Sequence, residues 1–264
     1  MKLPGTVIIA CLLAFAGAAR AGMVEDVLDR GVLRVGLSSF TPWAMRARDG
    51  EFIGFEPDVA RRMAADMGVE AEIIPTAWDG IIPALLAKKF DVIIAGMSVT
   101  PQRNLQVNFS IPYAKLGLGI VANRERMGDA TKPEDFNDEN IVFALRRGTT
   151  PVEVVRNLMP KAQIRQFDDE AAALQEVLNG RADAWAAGAP GHTDAALDHP
   201  DKLFIPFAEY LRSDLSGIAV RKGDADGLNF VNNWIRLRTD DGFLADRRQY
   251  WFEGREWKPL VGGE

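Results

Sequence analysis

Strand-like and helix-like hydrophobic patterns alternate twice along this chain, and that alternation restricts it to the α/β class. In the first half, Leu33-Arg34-Val35-Gly36-Leu37 reads as a strand. Pro57 to Met67 reads as a helix, with Val59, Met63 and Met67 one turn apart on one face. Val69 to Pro75 alternates as a strand, Asp79 caps a helix running to about Lys88, and Asp91 to Ala95 is a third strand. In the second half, Ile141 to Leu145, Gln163 to Phe167 and Ala182 to Ala187 are strands. Gly148-Thr149-Thr150-Pro151 turns into one intervening helix, and Asp169 to Leu178 is the other. Each half is a βαβαβ unit, which implies a parallel sheet with ligand loops at the carboxyl ends of its strands.

Ser110-Ile111-Pro112-Tyr113 and Leu118 to Ala122 form an extended connection between the units. A strand over Ser216 to Arg221 precedes helical patterns at Asp226 to Thr239 and Phe243 to Phe252. Those last helices need a sheet face to cover, and the first unit is the expected host. The chain then crosses between two lobes twice. The expected boundaries are residues 22–115 with 212–264 for lobe 1 and 116–211 for lobe 2.

Residues 1–21 read as a cleaved signal peptide: Lys2, an apolar run from Val7 to Phe15, and Ala19-Arg20-Ala21 as the cleavage site. A loose lipoprotein box at Ile8-Ile9-Ala10-Cys11 is the weaker alternative, because it leaves almost no apolar core before the cysteine. Cys11 is the only cysteine, so the mature chain has no disulfide, thiol nucleophile or cysteine metal site. Without Lys2 and Arg20 it carries 29 basic against 37 acidic residues. That excess of acid disfavours nucleic acid and anionic membranes as partners.

Ala95-Gly96-Met97-Ser98-Val99-Thr100-Pro101-Gln102-Arg103 follows a buried strand and opens a helix, with Thr100 as N-cap and Pro101 in the first turn. Backbone N–H groups at such a loop suit an anion. Arg103 adds a planar fork for a carboxylate or phosphate. On these nine residues alone, an ordinary surface arginine after an ordinary turn is an equally good reading.

In this order, several stretches resemble the family 3 periplasmic solute-binding proteins, the polar amino acid receptors of ABC importers. They are Gly54-Phe55-Glu56-Pro57-Asp58-Val59-Ala60, Trp78-Asp79-Gly80-Ile81-Ile82-Pro83-Ala84-Leu85, the stretch through Arg103, Phe109 to Tyr113, Gly148-Thr149-Thr150 and Gly217 to Gly223. The resemblance implies two Rossmann-like lobes joined by two hinge strands, the type II periplasmic binding protein fold. It also implies a periplasmic monomer without cofactor or metal that delivers a small carboxylate ligand to a permease in the inner membrane. Arg103, with backbone groups around Gly96 and Ser98, would hold the carboxylate. Gly148, Thr149 and Thr150 would donate to it from lobe 2, and Phe40 and Trp78 would lie against the ligand body. Both aromatics also suit core packing, though Trp78, at a strand's carboxyl end, fits the site better. Trp43 is expected beneath the rim.

One residue departs from the resemblance. Gly188 stands where the family usually has the acid that pairs with an α-ammonium, and Ser38-Ser39 supplies none. Burying an ammonium without a counter-charge is costly. Either the ligand lacks a free α-ammonium or another acid reaches it, with Asp168, Glu170 and Asp214 as candidates. The competing functions are a cyclohexadienyl-type dehydratase on the same scaffold and an accessory protein to a periplasmic enzyme. Glu153 is the acid nearest a site loop, but it reads better as a capping-box carboxylate after Thr150. His192 and His199 lack metal-ligand spacing and read as solvated loop residues. A non-enzymatic receptor is the preferred reading.

Overall fold

The computed structural model describes residues 22–261, so the signal-peptide assignment lies outside the described residues. A short helix α1 (Met23–Arg30) ends at Gly31, whose φ of 71° closes it in the left-handed conformation. The chain then enters β1 (Val32–Leu37), passes through a hairpin of β2 (Met45–Arg46) and β3 (Phe52–Ile53), and forms α2 (Phe55–Asp66). β4 (Glu70–Pro75), α3 (Ile81–Leu86), β5 (Val92–Ile93), α4 (Pro101–Asn104) and β6 (Asn108–Phe109) follow. A ten-residue strand, β7 (Ala114–Asn123), leads out to the second sheet. There α5 (Arg124–Met127), β8 (Val142–Arg146), α6 (Thr150–Leu158), β9 (Gln163–Phe167), α7 (Glu170–Leu178), β10 (Ala184–Gly188), α8 (Gly191–Asp198) and β11 (Leu203–Phe204) are laid down. β12 (Arg212–Ser216) returns to the first sheet, where β13 (Ala219–Val220), α9 (Ala225–Asp240) and α10 (Phe243–Arg248) complete it.

The first sheet has the order β4-β1-β5-β13-β6, with β1 parallel to both β4 and β5. The second runs β11-β7-β10-β8-β9, with β8 parallel to β9 and β10. In each sheet the chain winds to one side of a strand and then crosses to the other, so β1 and β8 each border a topological switch point. The crevices outside their carboxyl ends are where such sheets bind ligands. Two-sided burial explains the apolar runs. Leu33, Val35, Val92 and Ile94 pack on α2, α9 and α10, while Leu37, Ile93 and Ala95 face α3. In lobe 2, Phe143 and Leu145 meet α6, and Val142 and Ala144 meet α7. The C-terminal helices thus cover the first sheet, as expected.

β7 and β12 pair antiparallel from Ala114↔Ser216 to Leu118↔Arg212 and form the two connections between lobes. The single strand expected over Ser216 to Arg221 is instead broken at Gly217-Ile218. There the Gly217 N–H donates to Met97 O at 3.1 Å and the Ile218 N–H to Ser110 Oγ at 2.9 Å. Asp79 caps no helix: it lies inside a 3-10 turn, Trp78–Gly80, that precedes α3. The helix expected to reach Phe252 stops at Arg248 and continues as a π turn over Gln249–Glu253.

Candidate functional site

The cleft lies between two sets of strand ends. Phe40 follows β1, Trp78 follows β4, and Gly96 and Ser98 follow β5, with Arg103 on α4. Opposite them stand Arg146 at the end of β8, Thr149 and Thr150 at the head of α6, Glu170 at the head of α7 and Gly188 at the end of β10. With Leu116, Leu118 and Pro151 they line one cavity of about 380 Å³, part of it open to the mouth.

Arg103 reaches across the cleft. Its Nη1 donates to Ser98 O at 2.9 Å on its own lobe and its Nη2 to Gly148 O at 3.0 Å on the other. A guanidinium has five N–H donors, so three remain for a ligand. Thr100 is the N-cap as expected, accepting from the Arg103 N–H at 3.3 Å. Burial lowers the guanidinium to about 10, against the pull of Asp214 and Glu153, so it stays charged at neutral pH. Trp78 closes the same gap: its Nε1 donates to Gly148 O at 3.0 Å, and Arg103 lies over its ring at 5.4 Å. Gly148 has φ 72°, which suits glycine at this turn. Thr150 Oγ1 meets Ser98 Oγ across the cleft at 3.5 Å, and Thr149 Oγ1 donates to Arg146 O at 2.6 Å.

Gly96 lines the cavity, but its N–H is turned away from it. That N–H donates to the Tyr113 hydroxyl at 3.2 Å, and the hydroxyl lies 2.8 Å from both carboxyl oxygens of Glu56. Glu56 is fully buried at the head of α2, and burial raises its carboxyl from 4.5 to about 8. The native state therefore keeps a proton that the unfolded chain loses above 4.5. Its contribution to stability is full below that value and falls as pH rises through about 8. Glu170, raised to about 7, acts in the same direction, whereas His192, lowered to about 4, acts oppositely below its ordinary 6.5. Glu56→Gln is expected to flatten the fall in melting temperature between pH 6 and pH 9, measured by calorimetric scans of both proteins.

Sequence reasoning did not single out Arg146. It is buried, with Nη1 donating to Ser39 O at 3.0 Å and Nη2 to Ser38 Oγ, while its Nε has no partner. It also lies over Trp78, 5.3 Å from the ring centre. Of the three acids considered for an ammonium, Glu170 lines the cavity, held by Trp185 Nε1 at 3.0 Å. Asp168 is exposed beside Arg147, and Asp214 is paired with Arg212 at 2.7 Å.

The position of the missing acid is filled by hydrocarbon. A Cβ on Gly188 would lie 2.4 Å from Leu116 Cδ1 and 2.9 Å from Phe40 Cζ. Gly188→Asp must displace both of them, so it is expected to weaken ligand binding and cost about 1–3 kcal/mol of stability. Denaturant titration checks the second effect and calorimetry the first.

Residues 33–254 match the bacterial extracellular solute-binding proteins, family 3. The chain belongs to this family. Its fold is that of the type II periplasmic binding proteins. The L-cystine-binding protein TcyJ of Escherichia coli K12 is 31% identical over 232 residues, 88% of this chain and 86% of its own. The cyclohexadienyl dehydratase of Pseudomonas aeruginosa is 26% identical over 267 residues, 96% of each. A solved binding component of an ABC transporter from Wolinella succinogenes, complexed with lysine, superposes with a TM-score of 0.81 at 34% identity. It covers 87% of this chain and 99% of that one.

Glu153 makes no capping box: Thr149 is the N-cap of α6, without a side-chain bond, and Glu153 lies 3.6 Å from Arg212. His192 is not a solvated loop residue. It is buried on α8, where Gly119 leaves room for it: a Cβ there would lie 2.2 Å from His192 Nε2. His199, just after α8, is exposed.

Proposed function

We propose that the chain is a periplasmic receptor of an ABC importer, taking a small carboxylate-bearing solute in the cleft between its lobes. The solute is amino acid-like or an analogue without a free α-ammonium. The observation that carries this reading is Arg103, whose guanidinium bonds both lobes and keeps three N–H donors for a planar anion. Phe40 and Trp78 provide the walls, and Ser98, Gly148, Thr149 and Thr150 the polar rim, with Gly96 beneath. Residues 22–115 with 212–264 form lobe 1 and 116–211 form lobe 2. The partner is an inner-membrane permease, and the receptor works as a monomer without catalysis.

A thermal-shift panel of amino acids, keto and hydroxy acids and quaternary amines tests this. A ligand that binds only the native state raises the melting temperature. Carboxylates are expected to do so, and stabilisation by amines alone sinks the reading. The export signal places the mature N-terminus at Gly22, to be read by mass spectrometry of periplasmic material. A lipid-modified Cys11 would contradict it.

A second reading, dehydration of a cyclohexadienyl acid, is favoured by one observation. The Glu170 carboxyl in the cavity is raised to about 7 by burial, and a general acid needs to hold its proton near neutrality. Turnover of such an acid by wild type but not by Glu170→Gln would replace the receptor reading.

A further inference from the structure

The charges that line the cavity are unequal in number. Two guanidiniums, Arg103 and Arg146, face a single carboxyl, Glu170. Both guanidiniums lie within 5.4 Å of the Trp78 ring centre and both line the same cavity, so both are open to one solute. Arg146 is only 5% exposed, yet its Nε has no acceptor, and no carboxylate among the described residues comes within 4.0 Å of it. Glu170 bonds Trp185 and faces Arg146 without touching it. An unmade bond at a buried charged donor is costly, so a ligand that supplies the acceptor gains more there than at an exposed site. Between these polar ends the wall is apolar, built by Phe40, Leu116 and Leu118 around Gly188.

We infer that the cavity takes a solute with two carboxylates, one on Arg103 and the second on Arg146, with its amine against Glu170. This rests on the reading of Arg103 as a carboxylate site. It sets the protein against cationic amino acids, whose side-chain charge would meet Arg146 with Glu170 as its one counter-charge in the cavity.

Matched pairs differing in the second carboxylate test it by calorimetry: meso-2,6-diaminopimelate against L-lysine, L-glutamate against L-glutamine, and L-cystine against the mixed disulfide of L-cysteine and cysteamine. In at least one pair the two-carboxylate member is expected to bind wild type tighter, roughly 30-fold or more. Arg146→Gln is expected to erase that preference by weakening the two-carboxylate member more than its counterpart, with L-lysine, relieved of a like charge, binding no worse than to wild type. A panel in which no two-carboxylate solute outbinds its counterpart overturns the inference and needs no variant. So does an Arg146→Gln protein that loses affinity equally for both members, because Arg146 then serves only as a tie to Ser38 and Ser39. The Arg103 site fails separately: there Arg103→Ala leaves both members of a pair unchanged.

Discussion

Arg103→Ala is expected to remove carboxylate binding at the concentrations where wild type saturates, with the fold intact. The guanidinium is charged at neutral pH and half-buried, and its two occupied N–H groups tie it to Ser98 O and Gly148 O. A ligand carboxylate in the closed cleft would lose its main counter-charge, at a cost on the order of 2–5 kcal/mol. That is roughly 30-fold to several thousand-fold in affinity. Stability should change little, since α4 is one short turn whose cap, Thr100, bonds the backbone N–H rather than the guanidinium. Arg103→Lys separates charge from shape. The ammonium keeps the attraction but cannot span Ser98 O and Gly148 O with a planar fork, so affinity should fall to an intermediate value. Calorimetry on the three proteins reads the order. Equal affinity in wild type and Arg103→Ala would take the carboxylate away from this residue.

Much of this site was legible because strand ends and helix starts have local signals. Pro101 after Thr100 marks a helix start, and the Gly148 turn before Pro151 marks another. Arg146 had a weaker signal. In a strand, alternate residues share a face, so Arg146 lies on the side of Ala144 and Val142, which pack on α7. Glu170 begins that helix, so the pair sits at one end of one face. Arg147 beside it is a decoy, exposed against Asp168, and only the register decides between the two. Other features had no local signal. A carboxylate in the first turn of α2 suits the helix dipole and reads as solvated, yet Glu56 is buried because Tyr113 arrives from a distant stretch. His192 sits among Gly, Asp and Pro, which read as loop, but α8 turns it inward. The hydrocarbon filling at Gly188 comes from Leu116 on β7 and from Phe40 of the other lobe, a tertiary fact with no local trace.

Trp43→Ala is expected to give the largest loss of stability of any single change near the cleft, and to weaken binding without touching a ligand. The indole is 1% exposed and meets three rings: Phe40 stacked at 5.8 Å, Phe55 edge-on at 5.7 Å and Phe252 tilted at 4.6 Å. A Cβ on Gly96 would come within 3.0 Å of it, so the ring also sets the height of the ligand loop, where Gly96 has φ 60°. Its Nε1 donates to Ala189 O at 3.2 Å, next to Gly188 on lobe 2. Truncation opens a cavity that backbone on both sides cannot fill, at about 3–5 kcal/mol. Phe40 then loses its backing and can no longer be held against a ligand. Trp43→Phe keeps most of the volume and loses the N–H, leaving Ala189 O without its donor. Its cost should be smaller, about 1–3 kcal/mol. Denaturant titrations order the three proteins, and calorimetry below the unfolding transition reads the loss of affinity. A Trp43→Ala protein within about 1 kcal/mol of wild type would mean that the ring fills space without bracing the cleft.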